Sequence, residues 1–193
     1  MNKLLLTSAL VAAFGAAALA PQVARAATNN PVSNPPTDGT INITGTVIAQ
    51  TCKVDGKGAG TADTKNVPLP DVLTSQLAAQ GDTAGDTNFS IAVTGCDSAL
   101  STVHTYFTGS NIATDGRLSN GTGTATGVEV QLLNGSDASV IALNSADGSQ
   151  NSKPVNLTNN SATLEYTARY YANSTNVGAG SVNTSVAFTM VYE

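Results

Sequence analysis

Tryptophan is absent from the 193 residues, histidine occurs once and cysteine only twice. That inventory excludes a Cys/His metal cluster and a multi-histidine catalytic centre. Charge is equally scarce: Asp, Glu, Lys and Arg make up 11% of the chain against 41% hydrophobic residues, with aromatics at 5%. So low a charge content argues against both a charge-rich disordered tail and a charged helical bundle. Thirteen acidic residues against eight basic ones leave a net charge of −5, the wrong sign for gripping a nucleic-acid backbone. Most of the remainder is Thr, Ser, Asn and Gly, which solvate a surface without net charge. The single candidate base, His104, sits in Thr102-Val103-His104-Thr105-Tyr106-Phe107. Alternation sets it with Tyr106 and opposite Val103, Thr105 and Phe107, as an exposed or hydrogen-bonded strand residue rather than a catalytic one. The acidic residues are scattered singly, without the spacing of a calcium loop. No enzymatic activity, cofactor or metal is expected.

The N-terminus sets the compartment. Met1 to Lys3 give a short positive start, Leu4 to Ala20 an apolar run, and Ala24-Arg25-Ala26 the small-x-small pattern of a signal-peptidase site. Residues 1–26 are therefore expected to be a signal peptide, cleaved before Ala27. Pro21 and the polar stretch that follows, with no stop-transfer cluster, argue against an anchor, and no later run approaches membrane-spanning length. Loss of Lys3 and Arg25 leaves six basic against thirteen acidic residues, a net −7. An oxidising compartment favours joining Cys52 and Cys96, the only available pair, 44 positions apart. Chain entropy values such a link at about 4 kcal/mol. The absence of CxxC and of a nearby His argues against a redox or metal role.

Residues 27–39 are too polar and proline-rich to pack and read as an extended linker. From Thr40 the period is two. Ile41, Ile43, Gly45 and Val47 alternate with Thr40, Asn42, Thr44 and Thr46. Phe89, Ile91 and Val93 repeat the pattern, as do Val128, Val130 and Leu132, then Leu164, Tyr166, Ala168 and Tyr170. A last stretch, Val182, Thr184, Val186, Phe188, Met190 and Tyr192, runs to the end of the sequence. Asn120-Gly121, Asn134-Gly135 and Asp147-Gly148 supply hairpin and turn signals, and only Asp71 to Ala79 suggests a short helix. The pattern is that of an all-β protein, an antiparallel sandwich of about 150 residues.

The first and last of these strands are the most regular, and both are terminal. Alternation leaves open whether Ile41 to Ile48 is the first strand of its own domain or a strand that pairs elsewhere, which needs only a free edge and pockets at period two. At this point the sequence resembles the pilins of the chaperone/usher pathway, in particular the type 1 major-subunit kind. Carrying the resemblance are the penultimate Tyr192, the alternating Val186, Phe188 and Met190, and Gly180, fourteenth from the end. Tyr166-Thr167-Ala168-Arg169-Tyr170-Tyr171 before a Gly-rich loop belongs to it as well. So do Gly45-Thr46-Val47 shortly before Cys52, and Gly95-Cys96-Asp97.

The resemblance implies an incomplete immunoglobulin-like β-sandwich completed by a donated strand. Residues 27–51 would be an N-terminal extension, linker plus donor strand, and residues 52–193 the pilin domain. Ile41, Ile43 and Val47 would enter a neighbour's groove, with Gly45 where backbones approach closely. The groove and chaperone-pairing strand would carry Gly180, Val182, Val186, Phe188, Met190 and Tyr192, with the Glu193 carboxylate an anchor for basic chaperone residues. The implied partners are copies of the chain or other pilins head to tail, a periplasmic chaperone and an outer-membrane usher. The implied destination is an extracellular fimbrium, reached through the periplasm and supporting adhesion or biofilm formation. The linker is longer and richer in proline than the family pattern; Pro31, Pro35 and Pro36 cannot donate to a ladder and are set outside the groove. Two rivals stand beside this reading: a minor adaptor pilin, and a secreted carbohydrate-binding sandwich, for which stacking aromatics are few.

Overall fold

The computed structural model describes Thr44, residues 52–58 and residues 64–193. The chain divides into two units, Met1–Gly45 and Thr46–Glu193, and the architecture below is that of the second. The expected donor positions Ile41, Ile43, Gly45 and Val47 lie outside the described residues, as do the leader and the linker at 1–39.

Eight strands are described: β1 Lys53–Val54, β2 Thr83–Thr94, β3 Thr102–Thr108, β4 Leu118–Ser119, β5 Val128–Asn134, β6 Val155–Asn156, β7 Ser161–Ala172 and β8 Ala187–Tyr192. They form a five-stranded sheet in the order β1-β2-β7-β5-β4 and a three-stranded sheet in the order β6-β3-β8. Every described pairing is antiparallel. In the larger sheet Ile91 lies opposite Leu164 and Phe89 opposite Tyr166, so the apolar positions of the two longest strands share one face. That face packs on Val103 and Phe107 of the smaller sheet.

Tyr166 joins the two sheets. Its hydroxyl donates to Thr105 Oγ1 at 2.7 Å, and its ring meets Phe107 edge-on with centroids 5.4 Å apart and Phe89 at 5.5 Å. A buried phenol is tolerated because its polar end has this partner; burial also pushes its pKa up. Cys52 and Cys96 form the expected disulfide, buried in the same core. It ties the entry of β1 to the exit of β2, in line with the Lys53–Thr94 pairing beside it.

Two local readings of the sequence are corrected. The helix suggested over Asp71 to Ala79 is a single 3-10 turn, Thr74–Leu77. Asn134-Gly135 does not make a two-residue hairpin: the chain returns only at Val140, bridged to Leu133. Asp147-Gly148 makes the expected turn, in a loop that carries Gln150. The buried amide of Gln150 accepts from Phe107 N at 2.9 Å and donates to Phe107 O at 2.7 Å and Leu143 O at 2.9 Å. A side chain thus satisfies a strand edge where β6 is too short to do so.

Strand β5 is buried at every position, although Glu129 and Gln131 occupy its outward face as the alternation required. Gln131 is covered by Arg169, whose Nε and Nη2 donate to Gln131 Oε1 at 3.0 and 2.8 Å. Glu129 lies by Asp115 and Arg117; the Arg117 guanidinium stacks 3.5 Å from the Tyr171 ring centroid and bonds Asp115 at 2.6 Å. Burial, reinforced by the Asp115 charge, pushes the Glu129 carboxyl above its usual range and outweighs a hydrogen bond from Asn173. Asp115 moves the other way: burial would raise it, but hydrogen bonds from the Arg117 backbone and side chain hold it low.

The folded chain therefore holds the Glu129 proton more tightly than the unfolded chain does. That contribution is full below the ordinary carboxyl range and is lost as pH rises through the raised value. Glu129→Gln, which stays neutral, is expected to lose less stability between mildly acidic and neutral pH than the natural chain, read as urea midpoints. An identical pH dependence in both proteins would contradict this assignment.

Candidate functional site: an unpaired edge beside a half-buried row

Strand β8 pairs with β3 through the whole of its length, from Ala187–Thr108 to Tyr192–Val103. Its end is clamped: the Glu193 carbonyl accepts from Ser101 N at 2.7 Å and Thr102 N at 3.0 Å, and Glu193 N donates to Thr102 O at 3.1 Å. Among the described residues no strand pairs with the other edge of β8. Strand addition to a sheet needs just such a row of free N–H and C=O groups.

The side chains beside that edge have a matching property. Val182, Thr184, Val186, Phe188, Met190 and Tyr192 are all half-buried, and Ser181, Asn183, Ser185, Ala187 and Thr189 between them are exposed. The five apolar members pack on the main core without closing over it. By contrast, the inward residues of β3, Val103 and Phe107, are 0% and 2% exposed. Burial raises the Tyr192 phenol pKa, and the Thr105 hydroxyl lies 3.7 Å from Met190 Sδ. Thr184 adds a polar note, because its Oγ1 is buried with no hydrogen-bond partner. An apolar row of this length, flanked by an open edge, is the shape of a groove for an extended strand.

The strand expected over Val182 to Tyr192 forms a ladder only from Ala187. Upstream, the backbone is engaged by a different element, the loop that follows β4. Ala125 N donates to Ser181 O at 3.0 Å, Gly121 N to Asn183 O at 3.0 Å, and Gly178 and Thr126 exchange hydrogen bonds. Gly180 belongs to this contact rather than to β8. A Cβ there would lie 2.4 Å from Ala125 N and 2.6 Å from Thr124 C, so any side chain would push the two segments apart.

His104 is buried and hydrogen-bonded, Nε2 lying 2.9 Å from Asp147 Oδ1, on the face of β3 turned away from Tyr166. Among the described residues no three of His, Cys, Asp and Glu converge to hold a metal ion, and no helix is long and apolar enough to cross a membrane. Alternation places Thr184 in the row with its apolar members but gives it no role in the groove, and it does not reveal the loop at 120–126. The one signal there, Asn120-Gly121, indicates only a turn.

Residues 41–193 match the family model described as Fimbrial protein. The chain is 36% identical over 166 residues to the F17 fimbrial protein of Escherichia coli, covering 81% of this chain and 88% of that protein. It is 37% identical over 163 residues to the major fimbrial subunit SMF-1 of Stenotrophomonas maltophilia, covering 80% and 92%. A solved structure of a chaperone–usher pilus, concerned with rod uncoiling, superposes with a TM-score of 0.55 at 22% identity, over 82% of this chain and 98% of that one. That last likeness bears on the fold, an incomplete immunoglobulin-like sandwich. With the fold, the open edge and the family match in agreement, the chain belongs to the fimbrial protein family and is a structural subunit of a fimbria.

Proposed function

We propose that the chain is a shaft subunit that polymerises by donating the strand at 40–48 to the groove of the next copy. The observation that supports this reading is the half-buried row from Val182 to Tyr192 beside the unpaired edge of β8. Ile41, Ile43 and Val47 of one copy enter the groove, and Gly45 sits where the two backbones come closest. Burying each such side chain contributes about 1.5–3 kcal/mol relative to leaving it in water. The added backbone pairs satisfy the free edge, and the incoming strand also brings polar groups within reach of the unpartnered Thr184 hydroxyl. Val182, Val186, Phe188, Met190 and Tyr192 form the receiving wall, and Gly180 sits just upstream, against the loop after β4.

On this reading residues 1–26 direct export and are removed, 27–51 form the extension, and 52–193 the body. Before assembly an exposed groove invites aggregation, so a periplasmic chaperone lends a strand until the outer-membrane usher exchanges it for that of the next subunit. Each copy then gives one strand and accepts one. The interface is head to tail and does not close, so it generates a fibre on the cell surface rather than a ring. Such a subunit has no substrate and no reaction step; its work is mechanical continuity.

Ile43→Asp tests this directly. A carboxylate cannot enter an apolar groove without losing its hydration. The variant is expected to reach the periplasm at the natural level but to yield no fibres of its own, and to shorten fibres when co-expressed with the natural chain, because it can accept a strand but not donate one. Normal fibre length and yield, measured on sheared surface material, would defeat the assignment.

A further inference from the structure

One half of the receiving wall lies in the β3–β8 ladder; the other half, Val182 to Val186, does not. Asn111 holds its far end, Nδ2 donating to Ser185 O and Oγ at 3.3 Å, and what holds the Val182 end is centred on a second amide. Asn120 Oδ1 accepts from Asn183 N at 2.9 Å and Gly123 N at 3.1 Å, and Nδ2 donates to Ala125 O at 2.9 Å and Ser181 O at 3.1 Å. Both donors and both acceptor sites of the side chain are used. Around it Ser181 N donates to Thr124 Oγ1 at 3.0 Å and Thr124 N to Ser181 Oγ at 3.2 Å. Gly123 permits the approach, since a Cβ there would fall 2.2 Å from Ser181 O. Two of the four bonds reach Ser181 and Asn183, the residues on either side of Val182. Asn120 thereby fixes where the Val182 side chain stands.

We propose that Asn120 is a positioning residue for strand exchange: it holds the Val182 end of the wall in the shape an incoming strand requires, doing there what the ladder does for the other half. The inference rests on the donor-strand reading. A wall held in place need not be ordered during capture, so loss of the amide slows strand uptake rather than unfolding the body. Asn120→Ala removes two links to the wall and is expected to slow capture roughly tenfold, the factor that one to two net hydrogen bonds correspond to.

The test uses the full chain purified with its chaperone and, as probe, a synthetic peptide of residues 40–48, with uptake followed over time. Asn120→Asp is nearly the same size and keeps both acceptor bonds, but sets a carboxylate against the Ala125 and Ser181 carbonyls. Protonation restores one donor. Its uptake is therefore expected to be slow at neutral pH and to recover on acidification, while the natural chain changes little over the same range. Neither residues 118–126 nor 178–186 contain a charged or titratable side chain. The nearest charged residues along the chain, Asp115 and Arg117, are bonded to each other, and Arg117 also stacks on Tyr171.

Amide exchange should quicken at Asn183 in Asn120→Ala, which removes its acceptor, and at Ser181 in both variants, and remain slow at Leu164 and Tyr166. A purely structural role would move the urea midpoint of the body with the same pH profile, whereas here that midpoint is expected to stay close to that of the natural chain. Uptake by both variants at the natural rate would overturn the role of Asn120 while leaving the donor-strand reading intact. Failure of the natural chain to take up the peptide at any pH would overturn both. Should the alanine variant not be recovered, the pH profile of Asn120→Asp decides alone.

Discussion

An open strand edge next to uncovered core is the constraint on which this protein turns. A sandwich that leaves such an edge is stable only while another strand occupies it. Here the described residues contain a complete five-stranded sheet, a three-stranded sheet ending in β8, and a row of side chains that stay half-buried beside it. The remainder of the body secures that arrangement. The Cys52–Cys96 link closes one end of the larger sheet, Tyr166 joins it to β3, and Gln150 satisfies the side of β3 that β6 cannot reach. The smaller sheet is thus fixed on every side except the one that is to receive a strand.

Composition and function agree at this level. A fibre subunit needs a surface that remains soluble without strong self-repulsion, and uncharged Thr, Ser and Asn provide it. It needs no titrating pair or metal to act. The charged residues at the β5–β4 side of the larger sheet, Glu129, Asp115 and Arg117, are engaged with one another or with Tyr171.

Much of the sandwich was legible because period-two alternation records one buried face. Ile91, Leu164 and Val130 sit where that rule puts them. The rule also marked the apolar side chains of Val182 and Val186, which do point toward the core although their backbone leaves the ladder. Alternation reports side-chain orientation, not which partner satisfies the backbone. That is why alternation runs five residues upstream of the ladder's start and gives no sign of the Asn120 contact. Asn-Gly carries a turn signal through its backbone, whereas here the Asn120 side chain forms the long-range contact. The outward face of β5 is hidden for a similar reason: alternation turns Glu129 and Gln131 away from the core but does not show that Arg169 covers Gln131 or that Asp115 lies by Glu129.

The most direct measurement of the central claim is the state of the chain on the cell surface. Sheared surface material would be run on a denaturing gel, unheated beside strongly heated in acid, with detection of this chain. A strand buried along a whole groove exchanges slowly, so kinetic stability should preserve a ladder of multimers in the unheated lane that collapses to a single monomer band on heating. Monomer in both lanes, with the protein free in the periplasm or medium, would contradict strand-exchanged assembly and indicate a sandwich that fills its own groove.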